Sequence, residues 1–392
     1  MRLSLVLLSW FVCAMLPAAE LTTLKGQKLT GDVVAISNRE VTLRTDDRSV
    51  VVPIAELLTI RWSDPATATL PQQYVDIELV DGTLFHASGV SIKGKTVLII
   101  LRDGRDLAVD LAKVASILNQ AHDPIVRKAF ESVAGERTRS DRFFIRRESR
   151  LDGLEGTFGE ATPDGRFIAF TSKDGEVRRL PLDRLTGLLF NNRLEGNVPP
   201  SLCRLIDRQG NRLNLQKFVW SEGKAALTTV SGVSIELSSL ETIALLDYSK
   251  DKIVYLSDLK PAVEERDFED LPLVVARDTN LDSQPIQLEG RVYSRGLTLH
   301  PPIALTYDLN GEYKQLQAIV GVDSSVQTPS HVRLFIEGDG RPLLQIEVKV
   351  KEAPKPINLD IRKVRQLTIR AVPTEGLPFG HQITLAEARI TK

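Results

Sequence analysis

The chain predicts an all-β protein, with small barrels in tandem followed by a larger β-sandwich. Three observations carry that expectation. A short apolar pattern recurs four times between residues 20 and 250. Segments that alternate apolar and polar residues, bounded by Asp, Gly and Asn, fill the rest, and that period of two is the mark of hairpins. One stretch alone, near residue 125, has convincing helical spacing. Composition agrees with a globular chain: 392 residues, 50 basic against 51 acidic side chains and 42% apolar residues. Such a balance argues against a chain-wide polyanion-binding role, which needs a basic surplus. Glycine (25) and proline (20) are near average usage, which excludes collagen-like and low-complexity classes.

The first 19 residues read as an export signal. Arg2 is a short positive region, Leu3 to Leu16 is an uncharged apolar run, and Ala18 and Ala19 precede the first acidic residue, Glu20. The run is short for a bilayer core of roughly 30 Å but suits a signal peptide. Cys13 lacks the preceding Leu-small-small context of a lipoprotein signal. The expected product is exported to the periplasm, envelope or medium, with a cut at Ala18 or Ala19 and no further membrane span. Cys203 is then its one cysteine, so an intramolecular disulfide and a thiolate metal site are both excluded.

The recurring pattern is Val52-Pro-Ile-Ala-Glu-Leu57, Val109-Asp-Leu-Ala-Lys-Val114, Leu180-Pro-Leu-Asp-Arg-Leu185 and Ile235-Glu-Leu-Ser-Ser-Leu240. Each copy is apolar at positions 1, 3 and 6 and again three residues on, at Ile60, Ile117, Leu188 and Ile243. That spacing suits one tight helical turn leading into a closing strand. With the hairpins upstream, each unit resembles a small SH3-like or Sm-like barrel, over residues 20–62, 74–118, 141–190 and 200–248. Barrels of this kind host many functions, so the resemblance carries no activity.

A helical linker is expected over residues 119–136. Asp123 caps it, Pro124 takes the first turn, Ile125, Ala129, Phe130 and Val133 share a face, and Gly135 stops it. Beyond it, Arg137, Arg139, Arg142, Arg146, Arg147 and Arg150 surround Phe143 and Phe144. Because Asp141 and Glu148 interleave, this basic stretch reads as a solvated strand edge and not as a nucleic-acid site.

No catalytic signature emerges. The five histidines (86, 122, 300, 331 and 381) show no HExxH spacing, and neither a G-x-S-x-G elbow nor a phosphate-cradling glycine loop is present. Asp278, Asn280 and Asp282, with Glu289 further on, imitate the spacing of a calcium loop, but Ser283 stands where the sharp turn needs glycine and Pro285 disfavours a following helix. A polar loop is the simpler reading.

Residues 253–392 are strand-rich, with turns at Asn310-Gly311 and Asp339-Gly340, and are long enough for an independent sandwich core. Gly290-Arg-Val-Tyr293-Ser-Arg-Gly296-Leu-Thr-Leu-His300, Leu305-Thr-Tyr307-Asp308 and Val320-Gly-Val-Asp323 occur in order. They are followed by Val332-Arg-Leu-Phe-Ile-Glu-Gly-Asp-Gly340, Val364-Arg-Gln-Leu-Thr-Ile and Ala386-Glu-Ala-Arg-Ile390. This series resembles the NPCBM family, a carbohydrate-binding module first noted beside family 98 glycoside hydrolases, over roughly residues 270–391. The resemblance implies a jelly-roll-like β-sandwich that in some relatives binds galactose-containing glycans, often beside a structural calcium.

The chain departs from that family where relatives end in an Asp-His-Ala-Asp-Trp-like segment. It reads Gly380-His381-Gln-Ile-Thr-Leu385, keeping the histidine and losing the acidic partners and the tryptophan. Trp10, Trp62 and Trp220 all lie upstream, which removes the flat aromatic face that sugar sites commonly use. Tyr293, Tyr307 and Tyr313 remain as platforms. The expected carbohydrate-binding residues are therefore Tyr293, His300, Asp323 and His381, with no catalytic residue and no cofactor beyond a structural calcium. The function expected is non-catalytic recognition of extracellular or envelope polysaccharide, the alternative being an envelope protein–protein scaffold that has lost sugar binding.

Overall fold

The computed structural model describes residues 18–65, 73–134, 140–148, 150–265, 275–374 and 380–392. They form two compact units, Met1–Ser249 and Lys250–Lys392. The apolar core of the expected export signal lies outside the described residues, as do Arg137 and Arg139 of the basic stretch.

In the first unit one strand plan is laid down four times. In the first repeat the strands are Ala19–Thr23, Lys28–Ile36, Glu40–Arg44, Ser49–Pro53 and Leu57–Arg61. The first four pair antiparallel in sequence, and the fifth returns to the first, with Ile60 opposite Leu21. The 3-10 turn Ile54–Glu56 reverses the chain between the fourth and fifth strands, and it is the middle of the recurring apolar pattern. The third and fourth repeats follow the same order. In the second repeat the second strand is broken at Ser88 into Leu84–Ala87 and Gly89–Lys93. Leu57, Val114, Leu185 and Leu240 are all buried, as the pattern requires.

Two features differ from four independent closed barrels. Among the described residues no ladder joins a fourth strand to a fifth, so the hydrogen-bonded ring is interrupted at the turn. The repeats are also not separate bodies. Leu57–Arg61 pairs with Ile243–Asp247 of the fourth repeat, and Val114–Leu118 pairs with Gly187–Leu189 of the third. One contiguous core from Ala19 to Tyr248 runs through all four.

The helix forms at Pro124–Ala134, and the Asp123 carboxylate caps it by accepting from the Ile125 and Val126 amides at 2.9 and 3.4 Å. Its buried face differs from the expected one. Val126 and Phe130 are buried and Val133 partly so, an i, i+4, i+7 stripe, whereas Ile125 is 53% exposed. The arginines beyond it are largely paired: Arg142 with Glu155, Arg146 with Asp123 and Arg147 with Asp152. Phe143 and Phe144 are core residues.

The second unit is a sandwich of two antiparallel sheets. One orders Val275–Arg277, Gly296–Leu299, Ile383–Thr391, Gln315–Gly321 and Lys355–Asp360, with Ile253–Tyr255 also on Ile383–Thr391. The other orders Val263–Glu265, Ile303–Asp308, Gln366–Pro373, His331–Gly338 and Arg341–Lys349. Inward residues such as Leu297, Val320, Leu334, Ile369 and Leu385 make its core. Between the strands Val275–Arg277 and Gly296–Leu299, residues 278–293 make an excursion that ends in the hairpin Ile286–Leu288 and Arg291–Tyr293.

Because the repeats share one core, the first unit should melt as a single cooperative transition in calorimetry, and several resolved transitions would contradict the shared core. Leu57→Ala, at a fully buried position, should cost about 2–5 kcal/mol in urea unfolding.

Candidate functional site

Strand register brings three of the expected site residues to one end of the sandwich. Leu299 is opposite Ile383, and Gly321 is opposite Thr384. His300, Asp323 and His381 each sit one or two residues beyond these pairs, in loops leaving the same end.

His381 is buried after Gly380, and its Nδ1 accepts the His331 amide at 3.2 Å. An acceptor Nδ1 places the proton of the neutral ring on Nε2, which becomes a donor. Around it the loops are laced together. Ser330 Oγ donates to the Gln382 carbonyl and accepts the Gln382 amide, and Thr328 Oγ1 donates to the Gly380 carbonyl. The side-chain oxygen of Gln382 is buried with no hydrogen-bond partner among the described residues. His300 is half-buried before the cis Pro301-Pro302 bond, and none of the side-chain hydrogen bonds found among the described residues involves it.

Asp323 is placed differently. It is 1% exposed, and its carboxylate accepts from the Gln287 amide (2.8 Å), the Ser325 amide (3.0 Å), Ser325 Oγ (2.6 Å) and Asn280 Nδ2 (3.3 Å). Two of these bonds stay within its own loop and two, from Gln287 and Asn280, tie the 278–293 excursion to the loop after Gly321. Tyr293 is also no open platform. It packs with Ile286, Leu288 and Ala386, and the Arg291 guanidinium lies 5.1 Å from its ring centre. Tyr307 is a core residue, and burial pushes its hydroxyl up to about 12. Tyr313 is half-buried, with Lys392 Nζ 5.8 Å from its ring centre.

The calcium-like string does not offer a free donor set. Asp278 accepts from Arg295 and the Gly296 amide, and Asn280 Oδ1 accepts from the Asp282 and Gln284 amides. Among the described residues no three His, Cys, Asp or Glu side chains are placed to hold one metal ion. These residues do not fit calcium, and the loop is held by its own hydrogen bonds.

One polar cluster was missed in the sequence. In the first unit His86 Nδ1 lies 2.6 Å from Asp76 Oδ1, while Arg127 of the helix donates to Asp76 Oδ2 at 2.6 Å and to the Tyr74 hydroxyl at 3.1 Å. The His86 amide donates to Asn211 Oδ1 at 2.7 Å, so the cluster clamps the helix and the fourth repeat to the second. A signal existed: a hairpin turning at Asp81-Gly82 sets Asp76 opposite His86.

Comparison with known proteins bears on the second unit. The model of the NPCBM/NEW2 domain matches residues 252–391, so this part of the chain is an NPCBM/NEW2 domain. Among solved structures, the chain is similar to a CBM51 module from Clostridium perfringens GH95, solved with methyl-galactose. The identity is 18% and the TM-score 0.32, covering 36% of this chain and 99% of that one. It is also similar to the CBM51-2 and INT domains of Clostridium perfringens ZmpB, solved with GlcNAc, at 16% identity and TM-score 0.33 over 48% of this chain and 43% of that one. A third is the tandem CBM51 pair of the Streptococcus pneumoniae family 98 glycoside hydrolase, at 12% identity and TM-score 0.32 over 95% and 87%. A comparison with curated proteins found no match.

Asp323→Ala strands the donors of Gln287, Ser325 and Asn280, and should cost about 2–4 kcal/mol of stability in urea unfolding. Tyr307→Phe removes a buried hydroxyl that lacks a partner among the described residues. It should leave stability unchanged or raise it by up to about 1 kcal/mol.

Proposed function

We propose that the NPCBM/NEW2 domain of residues 252–391 binds a glycan at the loop end carrying His300, His381 and Gln382. The observation that carries the reading is the buried Gln382 side-chain oxygen, an acceptor with no partner among the described residues. It is adjacent in sequence to a histidine whose Nε2 is a donor and at the same end of the sheet as the uncommitted His300. Sugar hydroxyls donate and accept at once, so one hydroxyl group can answer both kinds of need. In this reading Asp323 holds the loop after Gly321 and Tyr293 packs the excursion, so both act as structural residues.

The role is binding and not catalysis in this reading. The Asp76–His86–Arg127 cluster is consumed by its own pairing and acts as a clamp. We further propose that the four repeats are small barrel-like modules that display the sandwich, and that the chain is exported. A cut after Ala18 keeps Ala19, which is buried at the start of the first strand and opposite Gly31. Among the described residues no helix is long and apolar enough to cross a membrane.

Titration calorimetry of the full chain, with ligands chosen from a glycan array that includes methyl-galactose and GlcNAc, tests the site. His381→Ala, which strands the His331 amide, should lower stability by about 1–3 kcal/mol with the domain still folded, and should weaken binding roughly ten- to hundredfold. Unchanged affinity in that variant would remove the loop end as the site. No binding by the unmodified chain to any glycan would favour the protein–protein scaffold. Mass spectrometry of the native protein should find an N-terminus at Ala19 or Glu20, and an intact Met1 would refute export by cleavage.

A further inference from the structure

The four repeats end their sheets differently. Among the described residues each fourth strand pairs on one edge alone, with the third strand of its own repeat. Three of these edge strands carry charge: Asp106-Leu-Ala-Val-Asp110, Val177-Arg-Arg-Leu-Pro181 and Ser234-Ile-Glu-Leu237. Charge on an edge is a common protection against pairing with another chain. The fourth strand of the first repeat, Ser49-Val-Val-Val-Pro53, has none, and Val51 is 53% exposed on it.

The backbone of this strand has a defined free side. Thr45 donates to the Arg48 carbonyl, and the Ile54 amide donates to the Arg39 carbonyl. With Val41 opposite Val52, residues 48, 50, 52 and 54 are the ones that face the third strand. In an antiparallel ladder the N–H and C=O of one residue point the same way. Ser49, Val51 and Pro53 therefore present their backbone groups outward, and among the described residues neither Ser49 nor Val51 spends its N–H on another segment.

We propose that this edge pairs with the same edge of a second copy of the chain, antiparallel about a twofold axis, with Val51 opposite Val51. In that register the two Val51 residues exchange both N–H···O=C bonds. Each Ser49 N–H meets a Pro53 carbonyl of the second copy. Every free donor of the strand is then used, and the N–H that Pro53 lacks falls opposite a Ser49 carbonyl, where no donor is left over. Charge agrees with the same register. Arg48 and Glu56 flank the strand, both are exposed, and neither has an ion-pair partner among the described residues. Arg48 of one copy falls opposite Ile54 of the other and diagonal to its Glu56, within reach for a long side chain. An isologous contact of this kind closes on itself and gives a dimer, not a fibre.

Sedimentation of the full chain across the micromolar range decides the matter. The unmodified protein should run as a monomer–dimer equilibrium. Val51→Lys places charge at an exposed position and should weaken the dimer at least about tenfold with an unchanged melting temperature. Val51→Pro removes the outward N–H without touching a bond to the third strand, and should act alike. Arg48→Glu alone should weaken the dimer, and adding Glu56→Arg should restore it. A protein that stays monomeric throughout the range, or a dimer indifferent to Val51→Lys, would overturn the proposal. Neither result bears on glycan binding, which is read on the other unit.

Discussion

The closing strand of every repeat in the first unit is hydrogen-bonded on both edges. Leu57–Arg61 lies between Ala19–Thr23 and Ile243–Asp247, and Val114–Leu118 lies between Val75–Leu79 and Gly187–Leu189. A strand in that position has no edge to protect and can be almost wholly apolar, which is how Leu-Leu-Thr-Ile and Ile-Ala-Leu-Leu read. Pairing first with fourth and second with third nests the repeats, so Ile60 meets Leu246 and Ile117 meets Leu188 across the joins. Among the described residues of the first unit, the strands left with one partner are the four fourth strands and the segment Gly89–Lys93. Of the four fourth strands, the one that lacks charge, Ser49–Pro53, is the one left unprotected against pairing with another chain.

The apolar spacing made the repeats legible because a tight turn between two strands imposes its own period, and that period survives in a single sequence. The turn is a 3-10 helix in the first three repeats and is closed by the Ile243 amide on the Leu240 carbonyl in the fourth. The nesting was not legible. A closing strand paired on one edge and a closing strand paired on both differ in hydrogen bonds, not in side-chain pattern, so independent barrels and a fused array predict the same residues at Leu57, Val114, Leu185 and Leu240. The helix shows the same limit on a smaller scale. Its existence followed from Asp123, Pro124 and the apolar spacing, but Ile125 and Val126 are adjacent, and which of them faces inward depends on Phe144 and Leu118, which wait beneath it.

In the sandwich, order along the chain placed His300, Asp323 and His381 in a common series, and register places them at one end. Their roles separated only through burial. Asp323 and Tyr293 are covered because residues 278–293 fold over one outer face of the sandwich. That excursion is pinned by Asn280, by Asp278 with Arg295, and by the hairpin on Ala386 and Ile319. No periodicity announces such a cover. The same excursion accounts for part of the calcium-like string. Asp278 accepts from Arg295 and the Gly296 amide, and Asn280 accepts from amides of its own loop. The spacing of acidic residues alone does not distinguish that use from metal ligation.

Unpaired polar atoms complete the argument about where a ligand can act. Burying an amide oxygen or hydroxyl without a partner costs roughly 1–3 kcal/mol, so each one needs a reason. Ser257, Tyr307 and Gln382 each carry such an atom in the second unit. Tyr307 lies near the far end of Ile303–Asp308, opposite Leu367 and inside the core, where no sugar can follow without unfolding a sheet. Its stranded hydroxyl is a cost that the core absorbs. Gln382 lies instead at the end of the sandwich where Leu299 is opposite Ile383 and Gly321 opposite Thr384, and where Ser330 and Thr328 lace the chain. In the proposed site an incoming hydroxyl meets that deficit, and the adjacent His381 ring, held by the His331 amide, supplies the complementary donor.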